Sequence, residues 1–129
     1  MLNMTGITKV SGAAPVQILY NVQNQMSVSI KLGKNFAGAV TENGRKIVKA
    51  GTPLTGDLTN RAVAFTAAGE SNAKGVLLHD VDVTEQDANA TLLIWGFVNL
   101  DRVDAATKAL LTAQVQTALA GQVYFLADN

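Results

Sequence analysis

The sequence predicts a small, mainly β domain carrying one late helix. Three observations lead there. Apolar runs of strand length, rich in branched and aromatic residues, alternate with polar or glycine-bearing punctuation from Val16 to Leu100. Asn43-Gly44 sits between two short alternating runs, and both residues tolerate the positive φ of a two-residue hairpin turn. Beyond Asp104 the apolar spacing becomes helical. At 129 residues the chain is one domain by length and can bury a core without staples.

Residues 1–36 contain no acid and read as an extended N-terminal arm or as edge strands; residues 37–129 read as the β-rich domain. In the first segment Val16, Ile18, Tyr20 and Val22 share one face of a β-prone run, with Leu19 breaking the pattern. A second run alternates cleanly, with Met26, Val28, Ile30 and Leu32 on one face and Ser27, Ser29 and Lys31 on the other. Such strands either join the domain's own sheet or add to the sheet of another chain. Ser11-Gly12-Ala13-Ala14-Pro15 reads as linker. Pro53 has no amide donor, so no central strand is expected around it. Residues 59–65 read as a short strand and 67–72 as a loop.

The centre of the fold is expected in 74–100, as one hairpin. Its first strand, 74–83, begins Gly75-Val76-Leu77-Leu78 and ends His79-Asp80-Val81-Asp82-Val83, so it should be buried on both sides at first and then emerge into solvent. A polar loop, 84–89, leads to the second strand, 90–100. Asp104 is a suitable N-cap for a helix over Ala105 to Leu119, with Leu111, Val115, Ala118 and Leu119 as an apolar stripe, widened by Ala106 and Leu110, and Gly121 just past its end. A last strand follows at 122–126.

The formal charge is zero but uneven. Residues 1–49 hold six cations against Glu42 alone, and residues 50–129 hold four cations against nine acids. Either the two halves attract each other within one domain, or one surface is steered toward a partner. No basic cluster interleaved with aromatics is present, so nucleic acid is not an expected partner. There is no cysteine, which excludes disulfides, thiolate metal sites and a cysteine nucleophile. The first residues lack the pattern of a signal peptide, and no apolar run reaches the roughly 20 residues of a membrane span.

Little in the sequence suggests chemistry. His79 is the only histidine and has no orienting partner for a catalytic triad. Phosphate-binding glycine patterns are absent. Asp80, Asp82, Glu85 and Asp87 are dense enough to suggest calcium, but the turn glycine and distant glutamate of a calcium loop are missing, so a solvated acidic strand end is the better reading. Trp95, the only tryptophan, is expected to pack in the core or against a neighbouring subunit.

Five motifs follow one another in a fixed order: Ala50-Gly51-Thr52-Pro53-Leu54, Lys74 to Leu78 followed by Asp80-Val81-Asp82-Val83-Thr84, the loop with Asp87 and Ala88, Leu92 to Trp95-Gly96-Phe97-Val98-Asn99, and Gly121-Gln122-Val123-Tyr124-Phe125. Their order resembles that of the lambda-type head decoration proteins of tailed bacteriophages. The resemblance spans residues 47–126. It implies a small β-clip (β-tulip) domain, made in the host cytoplasm, that sits as a homotrimer on the outer surface of the expanded capsid. There it cements major capsid subunits, without catalysis or cofactor and without nucleic-acid or membrane partners. The family's N-terminal arm pairs with a strand of the capsid protein. Carried onto this chain, that role would fall to Val16, Ile18, Tyr20, Val22, Met26, Val28 and Ile30, with Trp95, Asp80 and Asp82 as subunit contacts. Two competitors remain: a β-clip ligand-binding or enzyme-accessory module built on His79, Asp80 and Asp82, and the capsid-anchoring base of a head fibre. The absence of a fibre repeat before Asn129 counts against the latter.

Overall fold

The computed structural model describes residues 17–19, 25–34, 36–69 and 71–127. Among the described residues nine strands follow in order: β1 Met26–Leu32, β2 Val40–Glu42, β3 Arg45–Val48, β4 Pro53–Thr55, β5 Thr66–Ala67, β6 Gly75–Leu77, β7 Val81–Asp82, β8 Ala88–Asn99 and β9 Val123–Leu126. Two short helices, α1 Ala105–Lys108 and α2 Ala113–Ala118, lie between the last two strands. The domain is mainly β, as its sequence predicts. The larger sheet runs β9-β8-β6-β4-β5, with β1 also paired to β8, and the smaller runs β2-β3-β7.

Strand β8 is the spine. Its first half pairs antiparallel with β1, from Ser27 opposite Leu93 to Leu32 opposite Ala88, and with β6 through Val76 opposite Leu93 and Leu77 opposite Leu92. Its second half pairs in parallel with β9, from Val123 opposite Gly96 to Leu126 opposite Asn99. Gly75 is required beside it, because a Cβ there would collide with the Leu93 carbonyl oxygen. Each face of the large sheet buries one apolar cluster. The first gathers Ile18, Leu19, Val76, Leu93, Val98 and Val123 beneath Val103, Leu111, Val115 and Leu119 of the helical segment. The second gathers Ile30, Leu32, Leu54, Leu77 and Leu92 with Phe36, Val48, Phe65 and Val83.

The N-terminal stretch is therefore part of the core where it is described. Ile18 and Leu19 are buried, the Ile18 carbonyl accepts from the Asn99 amide at 2.8 Å, and Leu19 bridges Val98. Ile30 and Leu32 are buried through β1.

Several elements differ from expectation, each for a physical reason. The strand expected over 74–83 is two strands in different sheets. After Leu78 the chain leaves β8, the Asp80 carboxylate accepts the Ala50 amide at 2.7 Å, and β7 pairs with β3 instead. The expected change in burial holds in part: Gly75 to Leu78 are buried and His79, Asp80 and Asp82 are exposed, but Val83 returns into the second cluster, with Val81 packed against it. Residues 59–64 form turns rather than a strand, because Asp57 Oδ1 accepts both the amide and the hydroxyl of Thr59. Pro53 does open an interior strand. It stands first in β4, where the missing donor costs least, and its carbonyl accepts from Ala68.

The single helix is broken into two. Thr112 is extended, with ψ 171°, and its hydroxyl caps α2 by accepting the Val115 amide. The break lets Leu111, Val115 and Leu119 reach the first cluster together while Leu110 turns outward. Asp104 precedes α1 but makes no side-chain cap bond. The hairpin at Asn43-Gly44 is as expected, with φ of 51° and 78°.

Truncating Ile18 should cost about 2–5 kcal/mol. Met26→Ala, at an exposed position, should change stability by less than about 0.5 kcal/mol. Urea unfolding of both variants checks the contrast, and equal small effects would mean that residues 17–19 are not core.

Candidate interaction surface

The feature most unlike a finished protein surface lies where β8 meets β9. The register between β1 and β8 slips once: Met26 lies opposite Trp95, but Ser27 lies opposite Leu93. Ile94 is left without a partner, the geometry of a β-bulge. The slip explains why Leu93 and Val98, five residues apart, both enter the first cluster, since a regular strand would place them on opposite faces. It also turns Trp95 and Phe97 to the other side, the side of the second cluster.

Among the described residues the cover gives out there. Along β1, exposure rises from buried Leu32 and Ile30, through half-buried Val28, to Met26 at 58%. Trp95 is 41% exposed, Tyr124 44% and Leu126 39%. Tyr124 sits across from Phe97 in the parallel β8–β9 ladder and stacks on it at 5.3 Å with a 21° tilt, and Phe97 meets Trp95 edge-on at 6.0 Å. Trp95, Phe97 and Tyr124 thus pack into one uncharged face, with Met26 opposite Trp95 in the ladder and Leu126 two residues beyond Tyr124 on β9. Because the rings stack on each other, they offer edges and not one flat platform. Aromatic and methionine side chains without charge are what the centre of a protein interface selects.

The proposed contact residues are not all brought together. Trp95 and Met26 lie in this face, Val28 lies at its border, and Ile18 and Ile30 point into the domain's own clusters. Trp95 is not a core residue. Val16, Tyr20 and Val22 lie outside the described residues. Phe97, Tyr124 and Leu126 were not singled out from the sequence. The alternation was visible, but the side taken by Phe97 depends on the slip at Ile94, and that of Tyr124 and Leu126 on Val123 and Phe125 packing into the first cluster.

Asp80 and Asp82 serve another part of the molecule. Asp82 accepts from Arg45 Nε at 2.8 Å and from the Thr84 amide at 2.9 Å, and Arg45 also reaches Glu85 at 3.3 Å. Lys49 Nζ lies 3.1 Å from Glu42 and 3.2 Å from Asp80. Three of these four ion pairs join a cation from residues 1–49 to an acid from 50–129 and fasten the β2–β3 hairpin to β7 and its flanks. The charge asymmetry is in this measure internal attraction. The hydrogen bond from Arg45, with those from Thr84, holds the Asp82 carboxyl down at about 2. Burial opposes the charge on Lys49, but the bonds to Glu42 and Asp80 outweigh it and raise its pKa.

His79 is exposed and has no hydrogen-bond partner among the described residues. Among those residues no group of three His, Asp or Glu side chains is placed to hold a metal ion, and no helix is long and apolar enough to cross a membrane. No protein-family model matches the chain, and no curated protein matches it.

Asp82 makes acid sensitivity testable. Its folded pKa, about 2, lies below the ordinary 3.8, so its contribution is present above that ordinary value and is lost as pH falls toward the folded one. Between about pH 4 and pH 2 the melting temperature of the native chain should therefore drop more steeply than that of Asp82→Asn. Parallel curves would show that the Arg45–Asp82 pair does not contribute.

Proposed function

We propose that this chain is a bacteriophage capsid decoration protein: a structural protein that binds the outer surface of an expanded head as a trimer and cements neighbouring major capsid subunits. The observation that carries the reading is the uncharged face of Met26, Trp95, Phe97, Tyr124 and Leu126, whose Met26, Trp95, Tyr124 and Leu126 no described residue covers. The ordered motifs of residues 47–126, which resemble the lambda-type decoration family, supply the partner. Of the arm positions within the described residues, Met26 is the one whose side chain is exposed; Val28 is half-buried against the second cluster, and Ile18 and Ile30 belong to folding.

Magnitudes favour a multivalent binder. Taking roughly 200 Å² per large side chain, the exposed parts of Met26, Trp95, Tyr124 and Leu126 offer roughly 350 Å². A stable interface uses about 800 Å² on each side. One copy of this face is too small for tight binding by itself, whereas three linked copies gain from effective concentration.

The test is cosedimentation with expanded, undecorated heads assembled from the major capsid protein encoded alongside this chain. The native chain should bind. Trp95→Glu combined with Tyr124→Glu should weaken binding roughly 30-fold or more in a chain that still melts cooperatively. A folded native chain that does not bind would end the proposal.

A further inference from the structure

We propose that Asn43 is a site of spontaneous deamidation and isoaspartate formation, and that closure of the β2–β3 hairpin sets its rate. The inference is independent of the capsid reading. The chain has ten asparagines, and only Asn43 is followed by glycine, the residue whose backbone nitrogen is least hindered. Asn43 is exposed, and its side-chain amide makes no hydrogen bond among the described residues. By contrast Asn99 is buried, and Asn72 Oδ1 is held by the Gly69 amide at 2.7 Å. Beyond the adjacent residues, no atom lies within 4 Å of where a Gly44 side chain would begin, so the tip of the turn is uncrowded on that side.

The reaction balances without an oxidant or reductant. The Gly44 backbone nitrogen gives up its proton to base and attacks Asn43 Cγ. The Cγ–Nδ2 bond breaks, and Nδ2 takes up a proton and leaves as ammonia, closing a five-membered succinimide. Water then opens the ring. Attack at Cγ gives aspartate, and attack at the main-chain carbonyl carbon gives isoaspartate. One water enters and one ammonia leaves.

Closure of the hairpin opposes the first step. Asn43 at φ 51° and Gly44 at φ 78° occupy a tight two-residue turn, and ring closure needs a rotation about the Asn43 Cα–C bond that this turn does not allow. The reacting population is therefore the opened hairpin. Opening is held back lightly. All of β2 is exposed, and its last residue, Glu42, is tied to Lys49 by an ion pair at 3.1 Å that solvent can reach. The product cannot re-form the turn as it was. Isoaspartate routes the main chain through Cγ, adding one carbon between Glu42 and Arg45, and it places a new carboxylate beside Glu42.

The full-length chain is incubated in mildly alkaline buffer at body temperature, folded and in urea, and the tryptic peptide ending at Arg45 is followed by mass and by isoaspartate detection. The expected result is a gain of one mass unit at Asn43, with isoaspartate, slower in the folded chain than in urea. Glu42→Gln should speed the folded reaction about two- to five-fold, the range for losing one exposed ion pair, without changing the rate in urea. Asn43→Gln should show no gain. A folded chain whose Asn43 stays intact while the urea sample converts overturns the site. Equal folded rates for Glu42→Gln and the native chain overturn the control by hairpin closure.

Discussion

Backbone pairing along β8 is the constraint on which the rest of this structure depends. Twelve consecutive residues hold β1 and β6 along one half, and β9 along the other. Both apolar clusters are anchored to it, Leu93 and Val98 in the first and Ala90 and Leu92 in the second. A strand with strict alternation would send 90, 92 and 98 to one side. The register slip at Ile94 divides β8 into two phases, so both Leu93 and Val98 meet the helical segment in the first cluster. The opposite face then carries Trp95 and Phe97 beyond the reach of Val48, Val83 and Phe65, which cover only its first half. The uncovered face is a geometric consequence of the same slip that completes the first cluster.

Electrostatics plays a smaller and separable part. The smaller sheet contributes Val48 and Val81 to the second cluster, but its β2 strand is exposed throughout. What ties that edge down is the set of ion pairs among Arg45, Lys49, Glu42, Asp80, Asp82 and Glu85. Solvent screens the pairs of Arg45, so they contribute little to stability. They suit a hairpin that must be positioned, while the sheet and clusters supply stability.

Local signals in the sequence were legible, and those that depend on distant partners were not. The Asn43-Gly44 turn, the alternation of β1 and the early burial of 75–78 are properties of neighbouring residues. The parting of β6 from β7 rests on Asp80 meeting the Ala50 amide, thirty residues away, which no periodicity reveals. The helix breaks at Thr112 because three leucine and valine side chains on either side of it converge on one cluster, a tertiary demand that overrides helical spacing. Pro53 suggested an interruption, yet its place at the first position of β4 removed the conflict. The candidate face was half visible. Trp95 stood out, and core or contact were equally good readings of it. Tyr124 and Leu126 joined it only once a parallel ladder placed β9 beside β8.

The account rests on an apolar face that folding leaves open for a protein partner. Trp95, the only tryptophan in the chain, reports on that face directly. The decisive measurement is quenching of its fluorescence by a small neutral quencher, at concentrations where the chain sediments as a single copy. The expected result is red-shifted emission and ready quenching, consistent with an indole about two-fifths exposed at 41%. Blue-shifted emission that resists the quencher in the single folded copy would place Trp95 inside the domain, and the open face would not exist.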